Sequence, residues 1–326
     1  MAVHKYVSGL FLQMPAEKRI GVCMTVLFYL AATAVFMTAL ACVVLPFVAV
    51  WDRRLAIARR RSLYDKSAGQ TESLNAVLNI VFAAALGADL LMGGCIDKLM
   101  FGPWRMLWEA LVMSAAFSAL CAVIVLYAGR GLRNAFNVLS GLAAAASASL
   151  CCILVWAFCL GALKESASGL EAAQQAFMVV LASLQSVGFV LHVAFTVALA
   201  LTAAYGFALC WHILLRNRDD FGRDYYVFTL GMRSRQASYA GLLLSCVAAV
   251  QYSFYPQMAR EWAQTLLPFA GESAELALTC GLLGMPIAFS LWHAMSLSTM
   301  PMQKRSFAFI AVLFVGVGTY CALGRI

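Results

Sequence analysis

The chain has 326 residues, 63% of them hydrophobic and 12% charged, with a formal net charge of +8 and a mean hydropathy of +0.84. It is too apolar for one soluble core and too long for a single buried helix, which excludes a water-soluble domain and implies a polytopic membrane protein. Long Ala, Leu, Val, Phe and Met runs without strand-like alternation favour α-helices, because a helix satisfies its own backbone hydrogen bonds in lipid. The expected fold is therefore all-α: one polytopic membrane helix bundle spanning residues 1–326, without Pro-rich or Gly/Ser linkers and without an internal repeat.

The opening stretch, about 1–19, lacks a small-residue cleavage site before the first apolar run, so the first span itself is expected to start insertion. About eight spans follow, near 21–50, 74–95, 106–128, 136–162, 177–215, 237–257, 274–297 and 305–323. The fifth is too long for one crossing of a hydrocarbon layer about 30 Å thick. Its first part, within an outer amphipathic segment of about 165–189, is expected to lie along the membrane surface before the chain crosses.

Basic residues fall mostly after the first, third, fifth and seventh spans: Arg53, Arg54, Arg59, Arg60, Arg61 and Lys66, then Arg130 and Arg133, then Arg216, Arg218, Arg223, Arg233 and Arg235, then Lys304 and Arg305. The positive-inside rule places those loops in the cytoplasm and both termini outside. Topology thus accounts for the positive charge, and no nucleic-acid partner is implied. The stretch "WDRRLAIARRRSLYDK" reads as such a loop, with docking of a soluble partner as the alternative. The 11 cysteines lie mostly inside spans, with no CxxC and no CxxCH, which argues against an iron–sulfur site or covalently attached haem.

An ionisable side chain within a span is costly unless partnered, so each one marks a candidate site. The candidates are Asp89, Glu109, His192, His212 and His293. Counting about 1.5 Å per residue from the span ends puts Asp89, Glu109 and His192 near the outer face, where they could form one polar cluster. His212 and His293 fall near the inner face and could form a second. The two histidines of "LHVAFTVALALTAAYGFALCWHILLRNRDD" lie 20 residues apart, roughly 30 Å along a helix, and so cannot share one ligand. Below His192, Thr196, Leu199, Ala203, Gly206 and Cys210 share a helical face of mainly small residues, which leaves space either for a flat macrocycle or for close helix packing.

The segment from His192 resembles the fifth transmembrane helix of subunit I of cytochrome bd-type quinol oxidases: a histidine, small-residue turns, Trp211 nineteen positions on, and the exit "LLRNRDD". In the same order along the chain, "KRIGVCMTVLFYL" resembles that family's first helix, "RRRSLYDKSAGQ" its cytoplasmic loop, and "WEALVMSAAFSAL" its third helix, with Glu109 at the first glutamate. "YPQMAREW" resembles the start of its outer quinol loop, and "QKRSFAFIAVLFVGVGTYCALGR" its eighth helix. The pattern departs at the oxygen-reducing haem ligands. Tyr29 stands for a histidine, Phe117 for the second glutamate of the third helix and Ala322 for the glutamate of the eighth.

The resemblance implies a shortened, divergent member in the bacterial inner membrane that is not a complete oxygen reductase. It would be a membrane subunit of a respiratory electron-transfer complex, quinone-linked, with haem b held by His192 and with other membrane subunits as partners, a second bd-like subunit among them. Cys280 stands where that family has the partner methionine of the low-spin haem, with Met285 or a group from another subunit as equal alternatives. Glu109 would bond a propionate or carry a proton, Arg260 and Glu261 would contact a quinone headgroup, and His212 and His293 are weaker iron-ligand candidates. A haem-free anchor subunit is the alternative, and a small-molecule transporter is a third reading.

Overall fold

The computed structural model describes residues 16–92, 101–219, 221–254 and 282–323, with side chains described from residue 31 onward and with a few gaps inside helices. Ten α-helices account for nearly all of these residues: α1 (Ala16–Arg59), α2 (Ser62–Met92), α3 (Gly102–Tyr127), α4 (Arg130–Cys159), the single turn α5 (Ala162–Glu165), α6 (Leu170–Ser183), α7 (Val187–Leu215), α8 (Arg223–Phe254), α9 (Gly284–Ser296) and α10 (Arg305–Leu323). No strand occurs among the described residues. Five helical stretches are long and apolar enough to cross a membrane: Thr33–Arg59, Ser62–Ala88, Gly102–Tyr127, Gly131–Phe158 and Val187–Leu215. The all-helical expectation holds at this level, and the chain has the character of a membrane-embedded bundle.

The helices form two quartets. In the first, α1 packs on α2, α2 on α3, α3 on α4, and α4 returns to α1; in the second, α7, α8, α9 and α10 close a similar ring. The seam between them runs along α1 and α7. Most of α7 is buried, from Gly188 and His192 down to Leu215, because it faces both quartets at once. The larger core gathers Leu40, Leu45, Leu199, Leu209, Leu230, Leu244 and Trp292, whereas a second core around Trp104, Leu111 and Val180 fastens α6 to the first quartet. The turns after α1, α3, α7 and α9 meet at one end of the bundle, called here the basic end for the arginines and lysines it carries.

The long fifth apolar stretch divides as its length required. Ser186 takes an extended conformation and its hydroxyl accepts a hydrogen bond from the Phe189 amide at 3.1 Å, so a new helix starts at Val187. The preceding α6 buries Ala173, Ala176 and Val180, and its last residue, Ser183, accepts a hydrogen bond from Trp156 Nε1.

One boundary differs from the expectation in a way that matters for the chemistry. The stretch "WDRRLAIAR" is not a loop: α1 continues through it to Arg59, the chain turns within two residues, and α2 begins at Ser62. Ala, Leu and Arg are strong helix formers, and no Gly or Pro interrupts the run. The turn comes at Arg60, with φ at 51°. Asp52, Arg53, Ser67, Gln70 and Glu72 are consequently helical and buried.

Close approach of α9 and α10 depends on Gly284, where a Cβ would lie 2.7 Å from the Phe314 carbonyl oxygen. That oxygen belongs to the backbone and cannot yield without moving α10. Gly284→Ala is expected to cost about 1–3 kcal/mol by overpacking, read as a lower thermal midpoint in detergent, whereas Gly316→Ala, with open space around it, leaves the midpoint unchanged or slightly raised.

Candidate functional site

Two buried polar sites stand out, one toward each end of α7. At the basic end, Asp52 of α1 and Arg233 of α8 form an ion pair between side chains that are 1% and 0% exposed. The same guanidinium Nη2 donates to Ser67 Oγ at 3.0 Å and to Thr71 Oγ1 at 3.2 Å, and Nη1 donates to Gln236 Oε1 at 2.9 Å. Ser67 in turn donates to Asp52 Oδ2 at 3.1 Å. Three helices are thereby tied at one point.

Beside it, Arg53 Nη2 donates to Glu72 Oε2 at 2.8 Å, and Asn137 Nδ2 of α4 donates to Glu72 Oε1 at 2.7 Å. Two carboxylates and two guanidinium groups cancel in charge, so the cluster is electrically neutral as a whole. Its members occupy core-facing positions. Arg233 lies on the α8 face that buries Tyr226, Leu230, Ala237 and Leu244, and Asp52 continues the face of Leu45 and Ala49. From Glu72 a ladder of small polar groups climbs the first quartet. Asn79 donates to Asn75 Oδ1 at 2.9 Å, and Ser118 donates to Asn79 Oδ1 at 2.7 Å, with Ser140 within 3.3 Å of Ser118. Such bonds join helices where lipid offers no competing partner.

His212 belongs to this end. Its Nδ1 lies 2.5 Å from the Ala208 carbonyl, which can only accept, so Nδ1 carries the proton and Nε2 faces the Ser67 hydroxyl at 3.5 Å. His293 is exposed, stacks on Phe289 and stands 3.4 Å from Ser238 Oγ. The two histidines have separate partners, and no hydrogen bond or ring contact joins them among the described residues.

His192 is the opposite case. It is 1% exposed, and neither Nδ1 nor Nε2 has a hydrogen-bond partner among the described residues. Its ring is 5.7 Å from that of Trp156, and Phe189 packs on the same indole at 5.8 Å. The Thr196 hydroxyl donates to the His192 carbonyl, not to the imidazole. A buried imidazole without a bond forfeits roughly 1–3 kcal/mol, which makes these two nitrogens the least satisfied polar atoms on α7.

The His192 ring would suit an iron-containing group, since a buried neutral imidazole with a free lone pair is a good iron ligand. The residues below it do not fit a macrocycle lying down the Thr196–Cys210 face. Leu199 and Ala203 are sealed in the core, and the space over Gly206 is filled by Trp292, whose Cζ2 is 3.0 Å from where a Cβ would sit, and by Val312. Of the two alternatives for that face, close helix packing is the one realised. Met285 is buried in the second quartet, two helical turns from Trp292. With Trp292 level with Gly206, Met285 lies about 10 Å deeper than His192 along the helix axes.

Glu109 does not join His192. It is 59% exposed on the outer surface of α3 and pairs with Arg105 one turn earlier, at 2.9 Å. Phe117, at the position of the second glutamate in the resemblance, also faces outward. The side chains of Asp89, Tyr29 and Ala322, and the residues Cys280, Arg260 and Glu261 altogether, lie outside what is described. Among the described residues, no group of three or more His, Cys, Asp and Glu side chains is placed to hold a metal ion.

Sequence reasoning passed over Asp52, Glu72, Ser67 and Gln70, and it counted Arg53 and Arg233 as loop charges. The signal that finds Arg233 is helical spacing: it stands in register with Leu230, Ala237 and Leu244, the apolar stripe of α8.

Fold and site together define a helical membrane bundle with a neutralised charge cluster at one end and a solitary unsatisfied histidine at the other. Comparison with family models, with curated proteins and with solved structures finds no match for this chain.

Removing one member of the buried pair strands its partner's charge. Asp52→Leu is expected to destabilise by about 3–5 kcal/mol, while Asp52→Leu combined with Arg233→Met recovers most of the loss; unfolding by SDS titration of the purified protein measures both.

Proposed function

We propose that this chain is a membrane subunit of a respiratory electron-transfer complex, holding haem b through His192 and exchanging electrons with a quinone, without being a complete oxygen reductase. The observation that carries the reading is the pair of unpartnered nitrogens on the buried His192 ring. Its support is the collinear resemblance to subunit I of the bd-type quinol oxidases, in which a histidine at this place binds the low-spin haem.

A b-type haem supplies one-electron chemistry when bound. The chain's own part is to present a neutral imidazole from a helix fixed on both sides, to exclude water with Trp156 and Phe189, and to leave one ring nitrogen for iron. A further ligand would come from Cys280, on the resemblance alone, or from another subunit, in preference to Met285, which lies about 10 Å deeper than His192. Arg260 and Glu261 are kept as the quinone-facing pair on the resemblance alone. Other membrane subunits, a second bd-like chain among them, complete the complex.

A haem-free anchor subunit is the second reading, favoured by the filled Leu199–Gly206 face and by a charge cluster whose bonds join helices. Pyridine-haemochrome and redox-difference spectra of the purified chain separate the two. The proposal expects about one b-type haem per chain in the native protein and its near-complete loss in His192→Ala. Native protein without haem, or an unchanged spectrum in His192→Ala, rejects the haem and leaves the anchor.

A further inference from the structure

A crevice of about 590 Å³ opens between α2, α3 and α7 at the basic end. Its lining is graded along the helices. Lys66, Gln70 and Ser73 of α2, Leu126 and Tyr127 at the end of α3 and Arg218 after α7 surround the part nearest the end of the bundle, whereas Val77 and Ile80, one to two turns beyond Ser73, and Val123 of α3 continue it as an apolar slot. Val77 and Ile80 are 40% and 51% exposed, so the deeper part opens sideways onto the surface of the bundle.

The polar groups of the crevice divide into those already engaged and those still free. Gln70 Nε2 donates to Asp219 Oδ2 at 2.9 Å, Trp211 Nε1 donates to Ser73 Oγ at 3.1 Å, and Ser73 donates to the Gln70 carbonyl at 2.8 Å. These groups are largely engaged, and the neutral donors left over among the described lining residues are the second amide hydrogen of Gln70 and the exposed Tyr127 hydroxyl. Two cationic donors stand beside them. Lys66 is in no ion pair among the described residues and is steadied over the Phe221 ring at 4.9 Å, and Arg218 is 82% exposed with only a 4.0 Å approach to Asp219. Asp219 is the one carboxylate in the lining, and Gln70 occupies one of its oxygens.

We propose that this crevice binds an anionic phospholipid, its phosphate between Lys66 and Arg218 and an acyl chain along Val77, Ile80, Val123 and Leu126. Two cations at one end of an apolar slot that opens sideways match an amphiphile with a negative head, and basic groups near the membrane surface attract such lipids. The site is separate from His192 and holds whether or not the chain carries haem.

The test uses the full-length protein in detergent, with dioleoyl phosphatidylglycerol and dioleoyl phosphatidylcholine as probes, and reads lipid retention by native mass spectrometry together with the thermal midpoint. Phosphatidylglycerol is expected to be retained in preference to phosphatidylcholine and to raise the midpoint. Lys66→Ala/Arg218→Ala is expected to weaken its retention roughly tenfold or more, and Val77→Trp/Ile80→Trp, which fills the slot without altering charge, is expected to do the same. Arg54→Ala/Arg235→Ala, removing exposed cations elsewhere, should retain it as the native chain does. Equal retention of both lipids, or an equal loss in the Arg54/Arg235 variant, overturns the site in favour of a diffuse basic surface. The same midpoint shift with inorganic phosphate alone overturns the lipid, and a co-purifying quinone displaced by Val77→Trp/Ile80→Trp overturns it in favour of that ligand.

Discussion

The buried pair between Asp52 and Arg233 sets the terms for the rest of the bundle. It joins α1 of the first quartet to α8 of the second, with Ser67 and Thr71 of α2 completing the bonds around the guanidinium. A desolvated charge is tolerable only with its partner in place, so the two quartets are held in one relative register. The same need explains why α1 runs as one helix to Arg59. A loop beginning near residue 50 would leave Asp52 and Arg53 without a fixed direction, and Glu72 would lose its arginine.

Charge cancellation extends the argument. Arg53 and Glu72 form a second pair within the same few turns, and Asn137 fills the other oxygen of Glu72. Four charges that sum to zero produce little field beyond their own neighbourhood, so the remaining cations of this end, Lys66 and Arg218 among them, are left as the ones that act outward. The crevice between α2, α3 and α7 takes its polar rim from those residues and its apolar wall from the next turns of α2 and from the facing side of α3.

The opposite end of α7 shows the contrast. His212 has a partner for each ring nitrogen, and its neighbourhood is a fastening between helices. His192 has none, although its burial is nearly as deep. A folded chain rarely leaves two buried polar atoms unbonded without a use. The packing of Trp292 over Gly206 closes the face below, so the unbonded nitrogens stay confined to the first turns of the helix.

Composition by itself determined the helical, membrane-embedded class, since a chain this apolar has to bond its backbone internally, and the length of the fifth apolar stretch required the break that Ser186 provides. His192 was legible as a buried histidine from its position in that run. The sequence could not show which charges turn inward. Arg53 and Arg233 look like ordinary boundary arginines, and Glu109 looks like a buried acid, because local sequence does not record a partner. The carboxylate that neutralises Arg233 lies 181 residues away, and the salt bridge that holds Glu109 outward forms on an exposed side of α3. Only the packing of α1, α2 and α8 decided those pairings, because burial of a charge is a property of the helices that surround it.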